Sequence, residues 1–454
     1  MNANISKDLS TKLYKMAELT NEDTAQIRRL LTDYFAAAYA GYKQNREFNE
    51  AVKRVVCEQG GKAESAVLFS NSKLPARSAA FINSLYGHGA ELDDGCRIAM
   101  GHIGVHVIPS VLALAEAEMK SQEAIMLAIA VGYEACIRIS AAAQPGMVNR
   151  GFHSTGMAGG IACAAACAKL LDLDASQIES AMSLASTMSG GLLTYSESRQ
   201  MIKPINPAKA AETGVFAARL AQSGVKGPLH FLEGPHGWFH AVADSVDESM
   251  ISKDFGHLLM HDCYFKLYPS CRHTHCGIEA AINIQREVSI HTIQQINIYT
   301  YPNAIKLAGQ IQYPQNSDET KFSIPYTVAV ALLYGEYGVD YMDTKEILPK
   351  VKELIGKIQL ISDPSMENLK KGIRGARIEV LMSGGRKVSN TVLIPKGDPE
   401  NSLSDQDLDI KLRICAKNIV SERVIRQLTE IISEFGSGDS FSIQKCFMEE
   451  PEIL

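Results

Sequence analysis

Apolar side chains recur at helical spacing through most of the chain before residue 260. Within residues 5–45, for example, Leu30, Tyr34 and Ala38 lie four residues apart and share one helix face. The same periodicity predicts helices over residues 76–87, 107–119, 122–141, 156–171, 175–188 and 207–222. These segments are rich in Ala, Gly and Ser, so the pattern predicts an all-α block with short distances between helices.

The pattern changes near residue 290. Residues 296–301, 376–381 and 387–395 are strand-like, and Ser383-Gly384-Gly385-Arg386 has the composition of a hairpin turn between the last two. Helical periodicity persists beside them at 277–287 and 324–333.

In residues 405–434 apolar side chains again recur at helical spacing. The sequence therefore predicts a mainly α protein in which an α+β domain is inserted into a helical one. We place the helical domain at residues 1–261 and 399–454, and the α+β domain at residues 262–398.

Composition excludes several classes of function. The net charge is −6 and no basic block occurs, so nucleic-acid binding is not expected. No apolar stretch reaches about 18 residues and no signal-peptide pattern opens the chain, so we expect a cytoplasmic protein without a membrane span. The 10 cysteines include no Cys-x-x-Cys pair and are expected to be reduced core residues.

Paired carboxylates precede one histidine. Glu91-Leu92-Asp93-Asp94 is followed by Gly101-His102, and a carboxylate beside an imidazole orients it and raises its basicity. The alternative is a solvated acidic loop.

A second histidine lies in Gly151-Phe152-His153-Ser154-Thr155-Gly156, before a run of small residues. We expect Ser154 or Thr155 to cap a buried helix there, which puts His153 at a helix N-terminus that favours an anion. This arrangement suggests acid–base chemistry on a carboxylate, although a purely structural histidine is the alternative.

A lysine precedes the next small-residue helix. In Lys203-Pro204-Ile205-Asn206-Pro207 the two prolines define a turn at the helix start. The helix dipole there disfavours an ammonium group, which suits a lysine whose partner is a bound anion. The alternative is a surface lysine.

Cysteines and histidines are dense in Lys266-Leu267-Tyr268-Pro269-Ser270-Cys271-Arg272-His273-Thr274-His275-Cys276. The spacing matches no zinc motif, so we predict no metal site; the simpler interpretation is a substrate loop in which Lys266 and Arg272 bind carboxylates. No phosphate-binding glycine motif occurs, which disfavours a nucleotide.

Together these segments resemble the MmgE/PrpD family, which includes 2-methylcitrate dehydratase, cis-aconitate decarboxylase and iminodisuccinate epimerase. The resemblance covers most of the chain and rests on five segments in the family's order. They are Asp93-Asp94 with His102 and Val107-Ile108-Pro109, Gly151–Gly156, Lys203-Pro204, Lys266–Cys271, and Phe322-Ser323-Ile324-Pro325-Tyr326.

The resemblance implies a large helical domain with a smaller α+β lid, a homodimer, and neither metal nor organic cofactor. It also implies an active site between the domains, where His102, His153, Lys203, Lys266 and Tyr326 match active-site positions of the family.

Two departures leave the substrate open. Cys271 stands where cis-aconitate decarboxylases have histidine, and Gly95-Cys96-Arg97-Ile98 replaces their Thr-Trp-His-Pro pattern. The spacing from Asp94 to His102 and the Pro-Ser-Cys of residues 269–271 are instead similar to iminodisuccinate epimerase, whereas Tyr326 matches the decarboxylases better.

We therefore predict acid–base chemistry on a di- or tricarboxylate, with dehydration of a 2-hydroxy acid as the leading hypothesis. His102 and His153 form the acid–base pair, and Asp93 or Asp94 orients His102. Tyr326 donates to the leaving hydroxyl or to a carboxylate. The predicted substrate-binding residues are Lys203, Lys266, Arg272 and Asp94.

Three alternatives stay open. Epimerisation would use Cys271 facing a histidine, and decarboxylation would use the same groups as dehydration. The non-enzymatic alternative is an inactive helical protein that binds small acids.

Overall fold

The computed structural model describes residues 4–44, 46–195, 200–438 and 442. The chain divides into a larger unit, made of Met1–Gly89, Asp93–Tyr264 and Ser404–Leu454, and a smaller unit, made of Ala90–Leu92 and Phe265–Leu403. These boundaries lie three and five residues after those placed at 261 and 398. The short segment Ala90–Leu92 was not expected in the smaller unit.

The larger unit is helical, as its apolar periodicity predicts. Its main helices are α1 (Ile5–Lys15), α2 (Asn21–Gln44), α3 (Arg46–Glu58), α4 (Ala76–His88), α5 (Gly104–Glu118), α6 (Gln122–Ala142), α7 (Gly146–Asn149), α8 (Ser154–Leu170), α9 (Ala175–Ser186), α10 (Ile205–Gln222), α11 (Trp238–Val242) and α12 (Ser249–Ser252). Two short strand pairings add to it: β1 (Ser65–Ala66) with β2 (Lys73–Leu74), and β3 (Gly95–Cys96) with β4 (Cys263–Tyr264).

Small residues allow the central helices to touch through their backbones. Helix α8 is buried at every position except Lys169, and it packs against α10, α6 and α9. A Cβ atom placed on Gly214 of α10 would lie 2.1 Å from the Cβ of Cys163 in α8. The predicted close packing of Ala- and Gly-rich helices is confirmed.

One predicted helical stretch is interrupted. Residues 16–20 separate α1 from α2, and the Thr20 hydroxyl accepts from the Asp23 amide while the Asp23 carboxylate accepts from the Thr20 amide. This reciprocal cap starts a new helix, whereas the apolar periodicity by itself does not reveal the break.

The C-terminal helices α18 (Asp405–Ala416) and α19 (Glu422–Ser433) belong to the larger unit. Helix α18 packs on α2, and Lys411 Nζ lies 2.5 Å from Asp33 Oδ1, with both side chains buried. Residues 378 positions apart in the sequence therefore share one core.

Among the described residues, α6 alone is long and apolar enough to cross a membrane, with a mean hydropathy of 1.6 over 18 residues. Of that stretch, 83% is buried within the protein, and buried core helices commonly have this composition.

The smaller unit contains a four-stranded sheet in the order β10-β9-β5-β6. Strand β5 (Ile293–Thr300) is parallel to β6 (Ile358–Ser362) and antiparallel to β9 (Ala376–Met382), which forms the predicted hairpin with β10 (Lys387–Val392). Strands β7 (Glu367–Asn368) and β8 (Ile373–Arg374) form a separate two-stranded sheet. The helices of this unit are α13 (His275–Ile284), α14 (Pro302–Ala308), α15 (Ser317–Thr320), α16 (Ile324–Tyr334) and α17 (Thr344–Gly356).

Candidate functional site

One buried carboxylate of the larger unit lies between two imidazoles. The carboxylate oxygens of Asp93 are 2.9 and 3.0 Å from Nδ1 of His88, the last residue of α4. Asp93 Oδ2 is also 3.2 Å from Nδ1 of His102. Asp93 and His88 are each 1% exposed and His102 is 8% exposed. The two histidines therefore hold a negative charge away from bulk water.

A tight loop brings His102 back to the aspartates that precede it. The Cys96 amide donates to the Gly101 carbonyl at 2.9 Å, and the amide of His102 donates to Oγ1 of Thr155 at 3.1 Å. His102 Nδ1 lies 2.7 Å from the carbonyl oxygen of Asp94. Because a carbonyl only accepts, the Nδ1 of neutral His102 carries the proton and its Nε2 carries the lone pair.

The pKa values of the two neighbouring aspartates are shifted in opposite directions. Burial by itself would raise the pKa of Asp93, but the charges and hydrogen bonds of His88 and His102 hold that pKa well below its usual value. The Asp94 carboxylate instead accepts from the Tyr133 hydroxyl at 2.8 Å and from the Gly104 amide at 2.9 Å. Burial, with a further contribution from Asp33, raises the pKa of Asp94 to about 7. Asp93 is thus the carboxylate that orients His102, whereas Asp94 contacts it through its carbonyl.

His153 precedes the first turn of α8. The predicted cap is wrong, since His153 itself is the N-cap residue and makes no side-chain cap. Both hydroxyls have other partners: Ser154 Oγ accepts from the Gln144 amide at 2.8 Å, and Thr155 Oγ1 accepts from His102. The small-residue helix starts at Ser154, two residues before the predicted start at residue 156.

The Nδ1 atom of His153 faces a hydrogen-bond donor, whereas the Nδ1 atom of His102 faces acceptors. The side-chain amide nitrogen of Asn206, in the first turn of α10, lies 3.0 Å from His153 Nδ1. That nitrogen is a donor, so Nδ1 of His153 accepts and its Nε2 carries the proton. The ring centroid of His153 is 6.4 Å from that of His88, which in turn is 4.8 Å from that of His102. Lys203 is 9% exposed in the turn before α10.

Two predicted carboxylate ligands in the smaller unit are paired with carboxylates of that unit. The Lys266 ammonium is fully buried and donates to the carbonyl of Glu91 at 2.9 Å and to its carboxylate at 3.3 Å. The Arg272 Nε donates to Asp398 Oδ1 at 3.1 Å, and an Arg272–Asp398 ion pair at 2.5 Å accompanies it. Arg272 is thus paired with Asp398 within the smaller unit, and its substrate-binding role stays a prediction.

Tyr326 and Cys271 also lie in the smaller unit. The Tyr326 hydroxyl donates to the carbonyl of Tyr341 at 2.7 Å, and burial raises its pKa above the usual value. The amide of Cys271 donates to the carbonyl of Lys321 at 2.8 Å, and the Cys271 side chain is partly exposed.

The sequence matches one family along nearly its whole length. Residues 11–250 match the MmgE/PrpD N-terminal domain, and residues 268–434 match the MmgE/PrpD C-terminal domain. The chain belongs to the MmgE/PrpD family. The resemblance inferred from its five motifs is confirmed.

Individual MmgE/PrpD relatives are distant but cover the chain. A cis-aconitate decarboxylase-like protein of Aspergillus oryzae is 25% identical over 94% of this chain and 93% of its own. The cis-aconitate decarboxylase of Homo sapiens is 25% identical over 98% of this chain and 95% of its own. That of Aspergillus terreus is 23% identical over 91% and 89%.

Sequence reasoning missed three residues of this MmgE/PrpD protein. His88 is five positions before Asp93, a spacing that no motif predicts, and Asn206 was noted only as part of a turn. Glu91 was seen as one of several acidic residues. In the structure it adopts a φ of 56°, is 3% exposed and pairs with Lys266. A positive φ at a buried non-glycine residue marks a site where the surroundings impose the conformation.

Proposed function

We propose that this protein is a lyase that acts on a small di- or tricarboxylate by proton transfer at the carbon next to a carboxylate. The observation that carries the proposal is the pair His102 and His153, whose hydrogen bonds give them opposite tautomers. One imidazole presents a lone pair at Nε2 and the other presents a proton there, as an acid–base pair requires.

The tautomers assign a role to each histidine. His102, held at Nδ1 by Asp93 and the Asp94 carbonyl, accepts the α-proton at Nε2 and becomes an imidazolium beside the Asp93 carboxylate. His153, held at Nδ1 by Asn206, donates from Nε2 to the leaving group. Proton transfer by such positioned groups typically accelerates a step by about 10²–10⁴-fold.

A carboxylate substrate also needs cations, because charge accumulates on the enediolate as the α-proton leaves. We assign this role first to Lys203, a largely buried lysine three residues before Asn206. Lys266, which is ion-paired with Glu91 within the smaller unit, stays a proposed substrate-binding residue because the family resemblance implies that role. Tyr326 and Cys271 remain proposed catalytic residues, and Asp94 and Arg272 remain proposed substrate-binding residues.

Within this class, we propose dehydration of a 2-hydroxy acid as the main reaction. Loss of hydroxide needs one base and one acid, which His102 and His153 supply. Decarboxylation is the second candidate, since relatives 23–25% identical over most of their length are named cis-aconitate decarboxylase or cis-aconitate decarboxylase-like. In decarboxylation the bond from carbon to one carboxylate group breaks, CO₂ leaves, and the electron pair stays on the carbon, to which the same proton donor delivers a proton.

Proton NMR in D₂O distinguishes these reactions. The protein is incubated separately with 2-methylcitrate, citrate, cis-aconitate and iminodisuccinate. Loss of water that forms a carbon–carbon double bond supports dehydration; it is seen as a new vinyl proton or, from 2-methylcitrate, as collapse of the methyl doublet to a singlet. Loss of CO₂ supports decarboxylation. Deuterium entry at the α-carbon without either loss identifies an epimerase. Binding without turnover across the panel, and across further hydroxy acids, contradicts the lyase proposal.

We also propose that the reaction needs no metal, because imidazoles and ammonium groups supply every proton transfer and countercharge in it. Dialysis against EDTA should leave turnover within about twofold of its starting value, since catalytic metals contribute far larger factors. A loss restored by one divalent metal would contradict this.

Finally, we propose a cytoplasmic homodimer, as the family resemblance implies. Analytical ultracentrifugation of the full chain should give twice the 49.5 kDa monomer mass. A monomer at micromolar concentration would contradict the proposed dimer.

A further inference from the structure

The carboxylate that orients His102 is divided between two histidines. His88 Nδ1 lies within 3.0 Å of both oxygens of Asp93, whereas His102 Nδ1 lies 3.2 Å from Oδ2. The rings of His88 and His102 are 4.8 Å apart between centroids, with an interplanar angle of 64°. His88 therefore makes the shorter contact with Asp93 and bridges both of its oxygens.

Sharing one carboxylate couples the protonation of the two imidazoles. Asp93 can balance one imidazolium, and a second one at this separation would add an uncompensated positive charge in a site nearly closed to water. A hydrogen bond from neutral His88 also draws charge from the carboxylate, which weakens the attraction of Asp93 for a proton on His102. The two groups then titrate as a pair rather than independently.

We propose that His88 is a positioning residue, which by occupying both oxygens of Asp93 keeps His102 neutral and ready to accept a proton. The proposal rests on the proposed function in taking His102 as the base. His88 itself acts through Asp93 and is assigned no contact with substrate.

Other titratable groups surround this pair and stay the same in every variant compared below. On the helices and loop packed around His102 they are Asp94, Asp33, Tyr133, His106 and His153. Asp94 is bonded to Tyr133, and the two ring nitrogens of His106 face Cys163 and Cys136. Glu91, two residues before Asp93 in the chain, is paired with Lys266. A change in the titration of His102 between these variants is therefore caused by the replacement of His88, because the neighbouring groups are the same.

Two amide substitutions separate the hydrogen bond from the bulk of the side chain. In His88→Asn the amide nitrogen occupies the position of Nδ1 and still donates to Asp93. In His88→Gln the amide nitrogen reaches the position of Nε2 instead. His88→Leu removes the donor altogether.

The measurement is an NMR titration of ¹⁵N-labelled His102 in each variant, with no substrate present. We expect His88→Gln and His88→Leu to raise the pKa of His102 by about 0.5 to 1, and His88→Asn to leave it within about 0.3 of the wild-type value. In active protein, the acidic limb of the kcat/KM profile should move in the same direction.

The decisive comparison is made in protein that also carries Asp93→Asn. Once the shared carboxylate is gone, replacing His88 by Gln should no longer move the titration of His102. A shift that persists with Asp93→Asn, or equal titrations of His102 in the Asn and Gln variants, would overturn the proposal. The titration does not depend on turnover, so an enzyme inactive towards every acid contradicts the proposed function and leaves the coupling of His88 to His102 measurable.

Discussion

The amide nitrogen of Asn206 lies 3.0 Å from Nδ1 of His153, and this single donor sets the tautomer of the proposed acid. Asn206→Asp replaces the donor by a carboxylate that accepts from Nδ1. Neutral His153 then carries its proton on Nδ1, and its Nε2 can donate only in the imidazolium form.

We therefore expect Asn206→Asp to introduce an alkaline limb into the pH profile. Above the new pKa of His153, turnover should fall at least about tenfold relative to wild type, since a proton donor is typically worth about 10²–10⁴. The ¹⁵N shifts of His153 should show the proton moving from Nε2 to Nδ1. An unchanged profile with unchanged shifts would remove the assignment of His153 as the acid.

Removing either histidine tests the pair directly. His102→Ala and His153→Ala should each lower turnover by at least about 10²-fold while the far-ultraviolet circular dichroism stays the same. His257→Ala is a suitable control, because its side chain is 63% exposed in the larger unit. Wild-type rates in both variants on the true substrate would eliminate the proposed mechanism.

Asp94 should make stability depend on pH. Its pKa of about 7 in the folded protein, against 3.8 ordinarily, means that the folded chain keeps a proton which the unfolded chain releases. The folded state therefore binds more protons between about pH 4 and 7, and the free energy of unfolding falls as pH rises through this window. The contribution is on the order of 4 kcal/mol.

Asp94→Asn should flatten this dependence, as measured by urea unfolding at pH 4.5 and 7.5. The contribution of Asp93 to stability has the opposite sign. Because its pKa is lowered in the folded protein, the ionised carboxylate stabilises the fold at pH values above the ordinary pKa of an aspartate, and this stabilisation is lost on acidification. An equally steep decline in Asp94→Asn would show that another group is responsible.

The buried ion pair Lys411–Asp33 attaches the C-terminal helices to α2. Lys411→Met leaves the Asp33 carboxylate buried without its cation, so we expect a loss of about 3–5 kcal/mol in unfolding free energy. The exposed pair of Lys350 with Glu346 offers a control, for which Lys350→Met should leave the urea midpoint of unfolding nearly unchanged. Equal effects of the two substitutions would contradict the buried role of Lys411.

Gly214 tests the close packing of α8 and α10. Gly214→Ala adds a methyl group 2.1 Å from the Cβ of Cys163, so the helices must separate, at a cost of about 1–3 kcal/mol. Gly338→Ala meets no atom within 4 Å and should leave the thermal midpoint nearly unchanged. A stable Gly214→Ala protein would show that these helices can readily move apart.

Much of the secondary structure is readable from local pattern. The hairpin of β9 and β10 follows from alternating apolar residues around Ser383–Gly385, and the start of α9 follows from the box formed by Asp174 and Gln177. The break between α1 and α2 was missed because apolar spacing continues across it, although Thr20 and Asp23 mark it as a capping box.

The amino-acid sequence by itself determined the family, the mainly helical fold and the identity of His102 and His153 as candidate chemistry, because these depend on periodicity and on motifs of neighbouring residues. Only the tertiary structure decided which partners those histidines have. Asp93 is shared with His88, Asp94 turns its carboxylate to Tyr133, and Asn206 faces His153. Tautomers and pKa values depend on the direction of single hydrogen bonds between distant segments, which spacing along a chain does not encode.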